Sequence, residues 1–197
     1  MAVPSYIKIK QAPASELCDL VTISDEGLML VRPDMAAAAF FDALGRKNLL
    51  LDAIRFLAAA LPAREAVWWA CVCAQETLPG DAAPALKAAL VAAESWVYRP
   101  DEETRRAAKT AADAAGLHSA ASWAAMAAFW SGGSIVAPET PAVEPHGRLL
   151  PAAAGGAVML AGVQSEPQRA DQHHRRFLAA GIDIANGGNG QPKAAKG

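Results

Sequence analysis

The chain has 197 residues, with 18 Lys and Arg against 20 Asp and Glu, for a formal net charge of −2. That balance leaves no electrostatic case for nucleic acid, which demands a basic face. Hydrophobic residues make up 53% of the chain, but many are alanine, a strong helix former that buries little area. Five tryptophans and the larger aliphatic residues must therefore supply most of the core. Three cysteines, Cys18, Cys71 and Cys73, do not make a disulfide framework. The opening MAVPSYIKIKQ has no apolar core of signal-peptide length, and no apolar run approaches the roughly 18 residues of a membrane span. The expectation is a soluble, reduced, cytoplasmic protein with no membrane span.

In chain order, residues 1–13 read as an irregular lead-in, with a short extended piece around Tyr6–Ile9. A short helix is predicted from Ser15 to about Val21, and a second from Ser24, with Asp25 and Glu26 in its first turn. The competing reading of residues 15–31 is a hairpin turning at Gly27. Pro33-Asp34 is expected to open a helix that runs to about Leu44 and ends at Gly45. Leu50, Ile54, Leu57 and Leu61 form the next helical stripe, with Asp52 and Arg55 on another face. Pro62 starts a helix that ends near Leu78.

Asp81 reads as the N-cap of a helix with the stripe Leu86, Leu90, Ala93 and Val97. Pro100-Asp101 opens another, in which Glu102 can pair with Arg106 and Gly116 marks the end. Ser119 caps a helix to about Ser131, with Trp123, Met126 and Trp130 on one face. Residues 134–147 hold three prolines and no helical period, so they form a loop. Helices follow at about 148–164 and 167–180, and Gly181 should end the second in a left-handed turn. Ile182 and Ile184 then lie in an extended piece that either folds back or awaits a partner. The Gly-rich residues 187–197 read as a disordered tail. The prediction is an all-α fold, a bundle or irregular array of about 8 helices over residues 14–186.

The stretch AREAVWWACVCAQETL, residues 63–78, poses the main chemical question. Cys71 and Cys73 are two apart on a helix and point about 200° from each other, so they cannot hold one metal while it is intact. Zinc wants four ligands, and a redox pair sits at a helix N-terminus. These cysteines read as small buried apolar residues. Trp69 and Cys73 fall on the core side of this helix, while Trp68 and Val72 fall among the polar positions. Trp68 is either covered by another helix or serves as an interface anchor.

In RADQHHRRFLAAG, Asp171 and His174 share a face as two ligands could, but no third donor matches them. Arg169, His173 and Arg176 make a basic face on an amphipathic helix, either solvated or receiving an acidic partner segment. GGNG has no strand before it and no helix after it, so it is not a phosphate loop. Ser131 and Ser134 lack a nucleophile elbow. No constellation for a reaction, a cofactor or a metal emerges.

The blocks ALPAREAVWWACVCAQ, AESWVYRPDEETRRAA, ASWAAMAAFWSGGSIVAP and RRFLAAGIDIANGGNG resemble an uncharacterised proteobacterial family. Its small helical members are listed as a domain of unknown function, some under the misleading label of twin-arginine pathway signal proteins. The likeness spans about residues 14–190. It implies a bacterial cytoplasmic accessory protein, loosely associated with type VI secretion genes, and carries no catalytic residues over. The leading expectation is a non-enzymatic interaction or adaptor protein with a protein partner. Its candidate contacts are Trp68, Val72, Arg169, His173, Arg176, Ile182 and Ile184. The alternative is a ligand-binding protein or enzyme with a pocket lined by Trp68, Trp69, Trp96, Trp123 and Trp130.

Overall fold

A computed structural model describes residues 6–191. Among them the chain is all-α, with ten α-helices, one 3₁₀ turn and no strand. Four short or medium helices come first: α1 (Ala14–Cys18), α2 (Asp25–Leu28), α3 (Ala37–Arg46) and α4 (Leu50–Ala60). The long helices follow: α5 (Ala63–Thr77), α6 (Pro84–Tyr98), α7 (Glu102–Ala115) and α8 (Ala120–Phe129). After a loop come α9 (Leu149–Gln164), the 3₁₀ turn Pro167–Arg169 and α10 (Ala170–Ala185).

Local chemistry explains most boundaries. Ser24 caps α2 by accepting from the Gly27 N–H at 3.1 Å, and residues 15–31 form helices, not the competing hairpin. Asp101 with Thr104, and Ser119 with Ser122, form capping boxes at the starts of α7 and α8. Gly116 ends α7 with φ 70° and ψ 148°, a positive-φ conformation that favours glycine.

Three boundaries differ from the sequence expectation. Asp34 has φ 56°, so Pro33-Asp34 is a turn and α3 begins only at Ala37. Pro84 takes the first turn of α6 behind an Ala83 N-cap, which displaces Asp81 from that role. Above all, α10 does not stop at Gly181. It continues to Ala185, so Ile182 and Ile184 are helical rather than extended. Tertiary contacts hold Gly181 inside the helix, as described below.

The core is built on α8 and α5. Apart from Trp123, every residue of α8 is buried, and the helix packs against α5, α6, α7 and α9. Alanine makes this possible, because small side chains let five helix axes approach closely. Gly155 of α9 lies so near α4 that a Cβ there would sit 3.4 Å from the Cβ of Ala58. Larger side chains, among them Trp69, Phe40, Phe56, Phe177 and Leu57, fill the remaining space.

Two polar devices lock the periphery. Asp52, expected on another face than the apolar stripe, is buried and accepts from the Ser24 amide at 3.1 Å and from the Ser24 hydroxyl. It thereby ties α2 to α4. Arg105 is also buried, and its guanidinium forks onto Glu102 while donating to the carbonyls of Phe129 (2.7 Å) and Ser134 (2.8 Å). This fixes the start of the loop 134–147. Ile135 N–H donates to Val143 O across that loop at 2.8 Å.

The lead-in is irregular but tied down. Lys8 N–H donates to Ala185 O at 2.8 Å, and Lys10 N–H donates to Ala60 O at 2.9 Å. The ends of α4 and α10 therefore find their carbonyl partners in residues 8–10. The rest of the expected lead-in, residues 1–5, and residues 192–197 of the expected tail lie outside the described residues.

Candidate functional site

Adjacent residues on α5 send two indoles in different directions. Trp69 is fully buried, and its Nε1–H donates to Phe177 O of α10 at 2.7 Å. Trp68, one position earlier and about 100° around the helix, is half-buried at the surface. Its Nε1–H donates to Asn189 O at 2.9 Å, and its ring meets Tyr98 of α6 edge-on, with centroids 6.0 Å apart.

The segment after α10 forms one wall of this site. Gly188 N–H donates to Asp183 O at 2.8 Å, and Gly190 N–H donates to the Asp183 carboxylate at 2.9 Å. Gly187 and Gly190 adopt φ 87° and 72°, which favour glycine. A Cβ on Gly190 would sit 2.7 Å from Ile184 Cδ1. The glycines thus let the chain turn tightly and present the Asn189 carbonyl to Trp68. The tail expected over 187–197 is built into the surface at residues 187–191.

Together Lys8, Arg64, Glu65, Trp68, Val97, Tyr98, Ile184, Gly188 and Asn189 surround a cleft of about 320 Å³. Lys8 is paired with Glu65 at 2.6 Å on its rim. Arg64 donates through Nε to Val97 O at 2.7 Å, and no carboxylate among the described residues pairs with it. Its terminal N–H groups make no hydrogen bond among the described residues and can meet an acid. Tyr98 is 71% exposed.

The candidate contacts named from sequence have mixed fates. Trp68 and Ile184 line this one cleft, and Val72 and Ile182 are half-buried. Ile184 is 2% exposed, so it forms the floor rather than a projecting contact. On the basic face His173 is buried, whereas Arg169 and Arg176 stay exposed beside carboxylates. His173 places Nδ1 3.1 Å from Gly162 O, Arg176 pairs with Glu76, and Arg169 lies 3.5 Å from Glu166. His174, likewise buried, places Nε2 3.1 Å from Met159 O, so the two histidines tie α10 to the last turns of α9. Asp171 is exposed.

The five tryptophans do not share a pocket. Trp69 and Trp96 are buried in the core, whereas Trp123 and Trp130 pair with each other at 6.2 Å. Trp130 lines a separate cleft of about 320 Å³ with Lys10, Glu144 and His146. There Lys10 donates to Ala59 O at 2.7 Å, and burial pushes its amine below the ordinary lysine range.

Cys71 and Cys73 are fully buried, and burial pushes both thiols well above their ordinary pKa. No group of three or more His, Cys, Asp and Glu side chains among the described residues is arranged to hold a metal ion. No helix of the described residues is long and apolar enough to cross a membrane.

Arg64, Tyr98 and Asn189 escaped sequence reasoning. Tyr98 follows Val97 on the α6 stripe and so points away from the core, a signal that periodicity carries. Asn189 acts through its backbone carbonyl, which no side-chain pattern reveals.

A family model described as a family of unknown function, DUF6931, matches residues 40–185. The chain belongs to this family. No curated protein and no solved structure matches it. In this DUF6931 chain the blocks that carried the resemblance acquire physical roles. The WWAC block supplies one indole to the core and one to the cleft. The glycines and the aspartate of the GIDIANGGNG ending shape the cleft wall.

Proposed function

We propose that this DUF6931 protein acts by binding another protein at the Trp68–Tyr98 cleft. The observation that supports the reading most is the convergence of Trp68, Tyr98 and Arg64 in one half-open site. These three residue types dominate binding hot spots, because each offers large contact area together with a polar handle. Arg64 lacks an acidic partner among the described residues, and the cleft floor is apolar. The partner segment therefore carries an apolar or aromatic anchor beside an Asp or Glu. The anchor fills the space over Ile184, and the acid meets the Arg64 guanidinium.

The finer form of this reading is an adaptor in the bacterial cytoplasm, an accessory to a type VI secretion system. It rests on the resemblance alone. Selection from a displayed peptide library on the purified chain tests the binding chemistry. The expected result is enrichment of an apolar anchor flanked by acids, lost on W68A and changed to a preference for Lys or Arg on R64E. Enrichment unaffected by both substitutions would reject this cleft.

A further inference from the structure

One face of α6 has no helix packed on it among the described residues. Pro84, Lys87, Ala88, Val91 and Ser95 are all exposed, at helical spacing that gathers them into one stripe, which runs toward Tyr98 of the cleft. Val91, at its middle, is 60% exposed. Ala88 is small, and the Ser95 hydroxyl donates back to Val91 O at 2.7 Å, so it offers a neighbour no unsatisfied donor. Charge on this face is confined to two groups along one edge. Lys87 donates only to Gly80 O, and the half-buried Glu94 has no cationic partner among the described residues. The two lie seven residues apart, about 10.5 Å along the helix, too far to pair with each other.

We propose that this α6 face pairs with the same face of a second copy, the two helices running antiparallel about a two-fold axis beside Val91. The placement of the charges selects this occupant. A two-fold axis midway between residues 87 and 94, perpendicular to the helices, sets Lys87 of each copy opposite Glu94 of the other. Both ion pairs fall along the same edge, as an isologous contact requires. Val91 packs against its counterpart at the centre, where Ala88 and Ser95 permit close approach. Burial pushes the Glu94 carboxyl above its ordinary range, and a facing ammonium relieves that cost. A parallel two-fold pair would set the charged edges of the two copies on opposite sides of the contact, where Lys87 and Glu94 meet no counter-charge. The contact centres on Val91, about 10.5 Å along the helix from Tyr98 of the cleft, and it uses neither Trp68 nor Arg64.

A single helix pair buries less than the roughly 1,200 Å² of a stable complex, so the dimer is concentration-dependent. Sedimentation equilibrium of the full chain, from about 10 μM to about 1 mM, reads mass against the 20.4 kDa monomer. The expected result is a rise toward twice the monomer mass. K87E and E94K, each alone, set like charges against one another and should weaken self-association at least about tenfold. The double variant K87E/E94K should restore it. Mixing the two single variants should give a heterodimer from two chains that do not self-associate. Circular dichroism and the mixing arm together separate a lost contact from a lost fold. A monomer across the whole range overturns the proposal, as do a dimer indifferent to the single swaps and a mixture that stays monomeric. Peptide binding at the Trp68 cleft, measured on the same variants at a concentration where all are monomeric, should not change.

Discussion

Gly181 stands where a side chain would collide with Trp69: a Cβ there would lie 2.8 Å from Trp69 Cε2 and 2.7 Å from Leu57 Cδ2. The glycine lets α10 lie against α5 closely enough for the Trp69 indole to reach Phe177 O. A residue that reads as a helix terminator from sequence is thus a packing residue.

G181A should lower stability by about 1–3 kcal/mol, because the added methyl overpacks a rigid site. Intrinsic helix propensity pulls the other way by about 1 kcal/mol, so a net loss isolates the steric effect. Urea unfolding with an unchanged slope measures it. A gain in stability would mean that α10 and α5 are not held at this distance.

Ending the chain at Asn186 removes the Asn189 carbonyl that holds Trp68 and the Gly190 amide that bonds to Asp183. With the Gly187 and Gly188 amide bonds to Ile184 O and Asp183 O, four hydrogen bonds are lost, at a cost of about 2–4 kcal/mol. It should also shift Trp68 emission to the red as its ring meets water. Fluorescence of the truncated chain beside a W68F control checks both effects. Emission and midpoint equal to those of the full chain would show that residues 187–191 do not hold the indole.

Glu102 accepts from both Arg105 and Arg106, and these bonds hold its carboxyl down to about 2. A depressed acid stabilises the fold above its ordinary value of 4.5 and loses that contribution as pH falls from 4.5 toward about 2. E102Q should therefore be less stable than the parent at pH 6, with the difference shrinking through that window. Thermal midpoints of the two chains at pH 6, 4 and 2.5 test the sign. A difference that grows on acidification would contradict the assignment.

Cys71 and Cys73 should resist alkylation in the folded chain, because burial both blocks access and keeps the thiols protonated. Cys18 is half-buried, with its thiol pushed up to about 11, chiefly by burial, so it should react slowly. Mass spectrometry after iodoacetamide at pH 8 should find at most Cys18 modified, and all three cysteines modified in denaturant. Rapid modification of Cys73 under native conditions would expose a reactive site.

Sequence periodicity was enough for the helices because their caps and stripes are local. Ser24, Asp101, Ser119 and Gly116 sit at boundaries as their chemistry dictates. What it missed depended on distant partners. Asp52 lies off the apolar stripe of its helix, and its burial depends on Ser24, 28 residues upstream. Gly181 looked like a stop because Trp69 and Leu57 are not its sequence neighbours. The cleft was half legible: the polar surroundings of Trp68 on α5 marked it as unusual. Its walls came from residues 98 and 189, brought together only by the fold.

The indole N–H resonances of the five tryptophans offer the most direct test of the cleft. In a ¹⁵N-correlation spectrum, a selected peptide with an acid-flanked apolar anchor is titrated into the full chain. The Trp68 signal, assigned with W68F, should move progressively, while those of the buried Trp69 and Trp96 stay fixed. Movement of Trp123 and Trp130 with Trp68 unmoved would contradict the account and place binding at the other cleft.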